Sequence, residues 1–392
     1  MEIVFWGSFA VILYTYAIYP IIIWIIARIR RRQIDLGDPR KRSISIVATA
    51  FNEEGSVDRR LSELCSLLNK SGCRGEIIVV SDGSSDNTAN IARRFSSQQV
   101  RLIELAANLG KAAALTLGCR AARNEIIVFA DFRQSWGTHT LDRLLGDFSD
   151  VKIGAVSGDL VVDTSPGAIA GVGLYWRFEK WLRRQESLVH SCVGVSGSIC
   201  AVRRELFRAI PPGTVLDDVY WPLHVVMQGY RVVHDERAKA FDRLPHRVGD
   251  EFRRKVRTQS GVFQLLMRLP EALLPNRNPI WFQYLSHKIL RLFVPWAMLA
   301  MLVSSASLPG MIYHTLFWLQ IAFYMGGAAG VREEIGSRLR PLGWASSFLV
   351  LNAAVWVAFW VWILGKTEKS WRKIAYNTLI TSMDGLVEKW KL

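Results

Sequence analysis

The chain lacks several patterns that identify other classes of protein. Its 392 residues include five cysteines, an odd number, and none of them occurs in a CxxC pair. Structural zinc is therefore not expected, and the thiols are predicted to be reduced and mostly buried. The seven histidines show no metal-ligand spacing. A GxxxxGKS/T phosphate loop and a Ser, His, Asp nucleophile set are also missing, which excludes the corresponding nucleotide and hydrolase sites.

Acidic residues are in deficit. Lys and Arg number 49 against 34 Asp and Glu, which gives a formal net charge of +15. The basic excess flanks apolar runs and is not interleaved with aromatic residues, so contact with anionic membrane lipids is predicted, and nucleic acid is not expected as a partner.

The apolar residues, half of the chain, are concentrated at its two ends. Residues 3–27 are almost uncharged, are long enough to cross a bilayer, and lack a small-residue cleavage site. A retained transmembrane helix is therefore predicted over residues 1–28. The basic residues that follow it indicate a cytoplasmic side: Arg28, Arg30, Arg31, Arg32, Arg40, Lys41 and Arg42.

Three further apolar runs cover residues 290–308, 311–330 and 344–364. We expect a C-terminal membrane region over residues 278–365 with about three transmembrane helices, followed by a basic tail over residues 366–392. If the first helix runs from outside to inside, the loop that contains Arg332 is cytoplasmic and the tail falls outside. Either one apolar run is interfacial or the positive-inside rule is broken here.

Between residues 40 and 277, short β-branched runs alternate with helical stretches, as in α/β domains. Residues 76–88 read EIIVVSDGSSDNT. The apolar run is too short for a helix and is typical of a buried parallel strand, which ends at Asp82 and Gly83. Ser85 or Asp86 is predicted to cap a helix over residues 87–95. Ligands of parallel sheets bind at such strand ends, although a plain strand-to-helix connection has the same pattern.

Polar residues end three other predicted elements in the same way. The strand over residues 44–49 leads into Thr49, Phe51, Asn52 and Glu53, the next element ends at Asn108, Gly110 and Lys111, and the strand over residues 125–130 ends at Asp131. This ordered set resembles the family 2 glycosyltransferases, which have the GT-A fold, a Rossmann-like α/β fold. The resemblance implies that the end of the first strand and Asp82 hold the base and ribose of a nucleotide-sugar donor. It also implies that Lys111 lies near the diphosphate.

The family places an acidic DxD motif, which binds a divalent cation such as Mg²⁺ or Mn²⁺, where this chain has Asp131. Here the second carboxylate is replaced by Arg133. One carboxylate still suffices for magnesium if the diphosphate supplies the other oxygens, and Arg133 is expected to bind phosphate directly. The alternative is that Asp131 caps a helix and the metal is lost.

A pair of carboxylates, Asp217 and Asp218, lies between a Pro-Pro-Gly turn and a predicted helix. Like charges in contact raise a pKa, which suits a general base. The pair resembles the family's TED or EDD motif, which implies that Asp218 is the catalytic base and that Asp217 supports it. A helix-capping pair favoured by the helix dipole is the alternative.

Two flanking segments complete the predicted site. Residues 193–204 read VGVSGSICAVRR, and Gly194, Ser196 and Gly197 are predicted to line the acceptor site, although a strand bulge needs the same glycines. Residues 254–258 read RKVRT where processive synthases have a QxxRW motif, so the second arginine matches while Arg replaces Gln and Thr replaces Trp. The resemblance implies that Arg254 and Arg257 clamp the diphosphate. A juxtamembrane basic patch is the competing interpretation. The amphipathic stretch 167–186 suits the headgroup region or packs on the sheet.

Taken together, the resemblance implies a multi-pass protein of the bacterial inner membrane with a cytoplasmic GT-A domain over residues 40–277. It implies an inverting glycosyltransferase that builds extracellular or capsular polysaccharide, with membrane lipids, a nucleotide diphosphate sugar, a polysaccharide or lipid-linked acceptor and export-complex subunits as partners. Two alternatives remain: a non-processive enzyme acting on a lipid carrier, and a catalytically inactive relative that serves as a binding or scaffolding subunit.

Overall fold

The computed structural model of the chain describes residues 1–30, 32, 37–38, 42–97, 99–163, 172–243, 248–332, 336 and 339–367. Parts of three predicted segments lie outside these residues: the basic cluster at Arg31, Arg40 and Lys41, the start of the amphipathic stretch at 167–171, and the tail beyond residue 367.

One eight-stranded sheet organises the central part of the chain. Its strands are β1 Ser43–Ala50, β2 Arg74–Ser81, β3 Val100–Glu104, β4 Ile126–Ala130, β5 Ser135–Trp136, β6 Ile153–Asp163, β7 Ile199–Arg203 and β8 Arg231–Arg243. The order across the sheet is β3-β2-β1-β4-β7-β6-β8-β5. Strands β3, β2, β1 and β4 are parallel, β7 is antiparallel to both of its neighbours, and β5 is antiparallel to β8.

Helices cover both faces of this sheet, which explains why its strands read as continuous apolar runs. The helices of the central part are α2 Glu54–Ser71, α3 Thr88–Arg93, α4 Lys111–Ala121, α5 Thr140–Gly146, α6 Val172–Val189, α7 Asp217–Met227 and α8 Val248–Arg268. In β2, Ile77 and Val79 belong to the core under α2 and α5, whereas Ile78 and Val80 belong to the core under α4 and α7. The alternation is the two-residue period of a strand buried on both sides.

Apolar helices occupy both ends of the chain: α1 Glu2–Ile29 at the start, then α9 Trp281–Leu292, α10 Val294–Ser307, α11 Met311–Ala329 and α12 Arg340–Ile363. Among the described residues, two helices are long and apolar enough to cross a membrane, Glu2–Ile29 and Pro341–Ile363. The pair α9 and α10, bent by 54°, makes a third if it counts as one span. The number of crossings in the C-terminal region stays a prediction.

The apolar C-terminal helices and the central part share one core. Phe263 of α8 stacks on Trp362 of α12 at 5.4 Å between ring centroids, and Ala354 and Ala358 of α12 are fully buried in the same cluster. Aromatic stacking of this kind adds to the free energy gained by burial. The face of the sheet that α4 and α7 cover therefore shares its core with the apolar C-terminal helices.

The amphipathic stretch becomes α6, which packs on α1 and on strand β8. Leu182 is fully buried against Tyr19 and Ile23 of α1, and the Ser187 hydroxyl accepts a hydrogen bond from the backbone N–H of His234 at 2.8 Å. Packing on the sheet was one of the two interpretations of this stretch. The sequence did not predict the contact with α1.

Three predicted boundaries are wrong. The helix predicted over residues 87–95 spans Thr88–Arg93, and Asp86 accepts a hydrogen bond from its first N–H at 3.0 Å. Only Ile199–Arg203 of the segment 193–204 forms a strand, because its first part turns toward α7. Asp217 and Asp218 lie inside the first turn of α7 and not before it.

Candidate active site

The ends of β1 and β2 are joined by reciprocal side-chain hydrogen bonds. Asn52, in the left-handed region at φ 53°, donates its backbone N–H to the Ser84 hydroxyl at 3.1 Å and accepts the N–H of Ser85 on its side-chain oxygen at 2.9 Å. The N–H of Glu53 donates to the Thr88 hydroxyl at 2.7 Å. Asparagine tolerates this backbone conformation better than most residues. The two predicted nucleotide-binding turns therefore form one polar surface.

Asp82 and Gly83 hold the loop that leads into α4. The two carboxylate oxygens of Asp82 accept the N–H groups of Leu109 and Gly110 at 2.7 and 2.9 Å. Gly83 has φ 65°, and a Cβ there would lie 2.4 Å from the backbone carbon of Ala107. No other residue fits this crossing of two backbones without a shift. Asp82 thus positions the start of α4, a role that the sequence analysis did not assign to it.

Lys111, the first residue of α4, reaches the end of β4. Its ammonium lies 3.1 Å from Oδ1 of Asp131. Burial alone lowers the pKa of Lys111, but the carboxylates of Asp131 and Asp217 outweigh it and raise that pKa above its ordinary value. The lysine is therefore a permanent cation at the carboxyl edge of the sheet.

A proline fixes the helix that carries the acidic pair. Pro222 has no N–H to donate to the carbonyl of Asp218 in the first turn of α7. That carbonyl instead accepts the N–H of Val195 at 2.9 Å. Trp221 stacks on Phe129 of β4 at 5.3 Å between centroids. These contacts tie the acidic pair to the predicted acceptor segment and to the strand that ends at Asp131.

The acidic pair is enclosed. Burial, followed by the neighbouring charge of Asp217, raises the pKa of Asp218 to about 6, although Lys111 opposes the shift. Burial also raises the pKa of Asp217. Oδ1 of Asp218 is buried and has no hydrogen-bond partner in the described part of the chain. An unpartnered oxygen with this pKa suits removal of a proton from a substrate hydroxyl.

The predicted acceptor residues lie beside these groups. A Cβ on Gly197 would be 3.6 Å from Cβ of Asp218 and 3.9 Å from the ammonium of Lys111. A Cβ on Gly194 would be 3.0 Å from the carbonyl oxygen of Asp218. Ser196 accepts a hydrogen bond from Arg183 at 2.8 Å. Both glycines therefore allow the backbone of this segment to lie close to α7, and their approach to an acceptor stays a prediction.

The three arginines of the predicted diphosphate site lie in different places. Arg257 is close enough to Asp217 for its charge to lower the pKa of that carboxyl. Arg133 makes a bidentate ion pair with Asp242 of β8, with distances of 3.1 and 2.7 Å. Arg254 pairs with Glu251 at 2.8 Å and lies over the ring of Trp176. The structure thus groups only Arg257 with the acidic pair, and phosphate binding by the other two stays a prediction.

The protein supplies few ligands for a divalent cation at this site. Within the described ranges, no group of three or more His, Cys, Asp and Glu side chains is arranged to hold a metal. Asp131 uses Oδ1 for Lys111. Its Oδ2 has no hydrogen bond to any described residue, so one hard oxygen ligand is available. Magnesium commonly keeps only one or two protein carboxylates, so this donor set is sufficient when phosphate oxygens complete it.

Sequence reasoning missed four contributors to the site. They are Pro222, Arg183, Asp242 and Lys288, the last of which exerts a charge effect on Asp218 from α9. Pro222 was detectable in the sequence, because a proline has no N–H for the carbonyl four residues earlier, which is that of Asp218. Arg183, Asp242 and Lys288 come from distant parts of the chain, and no sequence pattern linked them to the site.

The sheet order and the helices on both faces define a fold of the GT-A type. Residues 45–210 match the family described as Glycosyl transferase family 2, the family of the resemblance. The solved structure of the mannosyltransferase PcManGT from Pyrobaculum calidifontis, in complex with GDP-Man and Mn²⁺, covers 92% of this chain. The match covers 98% of that chain with a TM-score of 0.69 and 20% identity. This similarity confirms the predicted fold.

Two curated relatives carry the name Poly-beta-1,6-N-acetyl-D-glucosamine synthase. The one from Staphylococcus epidermidis is 26% identical over 57% of this chain and 56% of its own length. The one from Staphylococcus aureus strain MSSA476 is 22% identical over 64% of this chain and 65% of its own length. The chain thus spans somewhat over half of the length of these relatives.

Proposed function

We propose that the chain is an inverting glycosyltransferase that moves a sugar from a nucleotide diphosphate donor to a saccharide hydroxyl. The observation that carries this proposal is the convergence of Lys111, Asp131 and the Asp217–Asp218 pair at the carboxyl edge of a GT-A sheet. The polar surface at Thr49, Phe51, Asn52 and Glu53, together with Asp82 and Asn108, takes the nucleoside. Lys111 and Arg257 face the diphosphate.

In the proposed reaction, Oδ1 of Asp218 takes the proton of the acceptor hydroxyl. The electron pair of that oxygen forms a bond to the anomeric carbon. The bond from the anomeric carbon to phosphate breaks, and its electron pair leaves with the nucleoside diphosphate. Lys111 stabilises the charge that develops on this leaving group. A divalent cation at Asp131, when bound, supplies further neutralisation of the diphosphate.

The relatives favour an acceptor that is a growing extracellular or capsular polysaccharide. The apolar helices at both ends support attachment to a membrane, and the basic residues after α1 support a cytoplasmic domain in a bacterial inner membrane, with export subunits as further partners. Transfer to a lipid-linked carrier is the second candidate. The cations Arg183 and Lys288 beside Asp218 favour it, because a neutral polysaccharide has no charge for them to bind.

The test uses the purified full chain in lipid nanodiscs with a panel of UDP- and GDP-sugars. Release of nucleoside diphosphate, together with formation of a glycosylated product, supports the proposal. Product length measured with one labelled donor separates polysaccharide synthesis from single transfer. If no donor in the panel binds or turns over, the chain acts as the inactive relative and the enzymatic proposal is wrong.

The rate of transfer is expected to fall as pH decreases through about 6. The base must be ionised to accept a proton, and burial with the Asp217 charge places the pKa of Asp218 at about 6. Below that pH the protonated carboxyl is inactive, and above it the rate reaches a plateau. A pH profile of kcat/KM gives the apparent pKa, which belongs to the coupled pair. An acid limb near pH 4 would show that Asp218 is not desolvated in the working enzyme.

Removal of divalent cations with EDTA is expected to lower turnover by roughly tenfold or more, because the diphosphate then loses part of its neutralising charge. Mg²⁺ or Mn²⁺ should restore it. Binding of Mn²⁺ in the presence of nucleoside diphosphate, followed by electron paramagnetic resonance, should be weaker in Asp131→Asn than in wild type. Full turnover in EDTA would mean that Lys111 and Arg257 stabilise the leaving group without a metal.

A further inference from the structure

Two basic side chains, Arg183 and Lys288, lie near Asp218 on helices that pack beside the apolar terminal helices. Arg183 of α6 and Lys288 of α9 both lie near enough to Asp218 for their charges to lower its pKa, as Lys111 does from the donor side. Arg183 also contacts the acceptor segment through Ser196 at 2.8 Å. Asp218 is therefore placed between a cation on the donor side and two cations on the acceptor side.

Lys288 has no obvious protein partner. Within the part of the chain that the structure describes, it makes no hydrogen bond and no ion pair. The carboxylates of this region bond to groups other than Lys288: Oε1 of Glu186 accepts the hydroxyl of Tyr19 at 2.6 Å and lies 2.8 Å from Nδ1 of His287, whereas its Oε2 is buried with no hydrogen-bond partner among the described residues. Glu179 contacts Nε2 of His287 at 3.1 Å and pairs with Arg291. An ammonium left unpaired in a partly buried site is costly unless an anion joins it.

A third cation lies nearby. Lys255 of α8 is 3.7 Å from Glu251, but that carboxylate accepts hydrogen bonds from two guanidinium nitrogens of Arg254 at 2.8 and 3.0 Å. The ammonium of Lys255 lies 4.3 Å from the ring centroid of Tyr175. Burial lowers the pKa of Lys255 to about 8, and a bound anion would reverse that shift. The local excess of positive charge thus extends from α9 to α8.

These cations are located where the catalytic domain meets the membrane helices. Lys288 belongs to α9, the first half of the bent apolar pair. Two residues earlier, the Ser286 hydroxyl lies 2.8 Å from Oη of Tyr14 in α1. An anion bound at Lys288 is therefore next to the candidate membrane spans and also next to Asp218. A phosphate that attaches a sugar to a membrane lipid has both of these properties.

We propose that Lys288, Arg183 and Lys255 form a subsite for the phosphate of a lipid-linked acceptor, and that this phosphate holds the acceptor sugar with its hydroxyl at Asp218. The inference rests on the proposed function and specifies its acceptor: a sugar joined through phosphate to a membrane lipid. Such an acceptor also suits polysaccharide synthesis, since a chain is able to grow on a lipid phosphate primer.

The test compares three synthetic acceptors that share one sugar and one isoprenoid chain. The first has a diphosphate linkage, the second a neutral glycosidic linkage, and the third a linker with a carboxylate. Wild type in nanodiscs is expected to prefer the diphosphate acceptor over the neutral one by roughly tenfold to a hundredfold in kcat/KM. In Lys288→Gln and Arg183→Gln this ratio should fall toward one, and Lys288→Arg should keep most of it. The ratio within each variant cancels any change in folding or in Asp218.

Arg177→Gln is the matched control, because Arg177 is an exposed cation on the same helix as Arg183 and should not change the ratio. Affinity for the three acceptors, measured without donor, separates the two proposals. If the chain binds the diphosphate acceptor preferentially through Lys288 but transfers no sugar, the proposed function is wrong and the phosphate subsite is supported. Transfer with equal use of the neutral acceptor overturns the subsite. Preference for the carboxylate acceptor overturns the lipid phosphate in favour of an acidic glycan.

Discussion

Asp218→Asn is expected to lower kcat by about 10²- to 10⁴-fold, while the affinity for nucleoside diphosphate stays within about twofold of wild type. Asparagine keeps the size of the side chain but does not accept a proton. The buried Oδ1 of Asp218 has no hydrogen-bond partner among the described residues, so the substitution removes no contact there. The carbonyl that holds Val195 at 2.9 Å is unaffected, because it belongs to the backbone.

Rapid-mixing measurements of turnover, with nucleotide affinity from calorimetry, check this expectation. Asp58→Asn is the control, since the Asp58 side chain is 63% exposed and makes only a surface ion pair with Arg94. It should keep both parameters. Unchanged turnover in Asp218→Asn would place the base elsewhere. A parallel loss of nucleotide affinity would show instead that Asp218 supports the donor site.

The sheet was predictable because its strands follow local rules. The run of β-branched residues from Ile77 to Val80 is too short for a buried helix and therefore predicts a buried strand. The strand ends at Asp82 and Gly83, in a turn that needs glycine. Boundaries were less predictable where a tertiary contact replaces a local signal. Leu216 precedes α7 at the N-cap position and makes no side-chain capping hydrogen bond, so no local signal marks Asp217 as the start of the helix.

The groups of the site were predictable one by one, but not as pairs. Lys111 and Asp131 meet because β4 lies beside β1 and α4 starts at the edge where both strands end. That arrangement follows from the sheet order, which no local pattern encodes. Arg133 binds Asp242 for the same reason, since β8 reaches it only through the folded sheet. Because Arg133 is close to Asp131 in sequence, we predicted that Arg133 contacts phosphate. In the structure its guanidinium group instead pairs with Asp242.

The same limit explains the acceptor side. The sequence indicated a basic region through Arg254 and Arg257, which are close to one another along the chain. Apart from Lys111, the cations whose charges act on Asp218 are Lys288 and Arg183, on helices α9 and α6, which contact one another through His287 and Glu186. The composition predicted positive charge near the membrane. Only the packing of α6 on α9 places the charges of Arg183 and Lys288 near Asp218.

Lys111→Gln is expected to lower kcat by about 10²- to 10³-fold and to weaken nucleoside diphosphate binding by roughly tenfold. The ammonium lies 3.1 Å from Oδ1 of Asp131, and it faces the position proposed for the leaving diphosphate. Glutamine is polar like lysine, but its side chain is one bond shorter and carries no charge. Lys70→Gln, a change to an exposed lysine at the end of α2, is the control and should alter neither value.

The pH profile of the same variants gives a sharper test, because its direction is fixed by charge. Lys111 lowers the pKa of Asp218, so its removal favours the protonated carboxyl and should move the acid limb to higher pH. The charge of Asp217 raises that pKa, so Asp217→Asn should move the limb to lower pH. Opposite shifts from the two substitutions show that the titrating group lies near both Lys111 and Asp217, as Asp218 does. Shifts in the same direction, or no shift, would mean that the limb reports another group and that Asp218 does not control the rate.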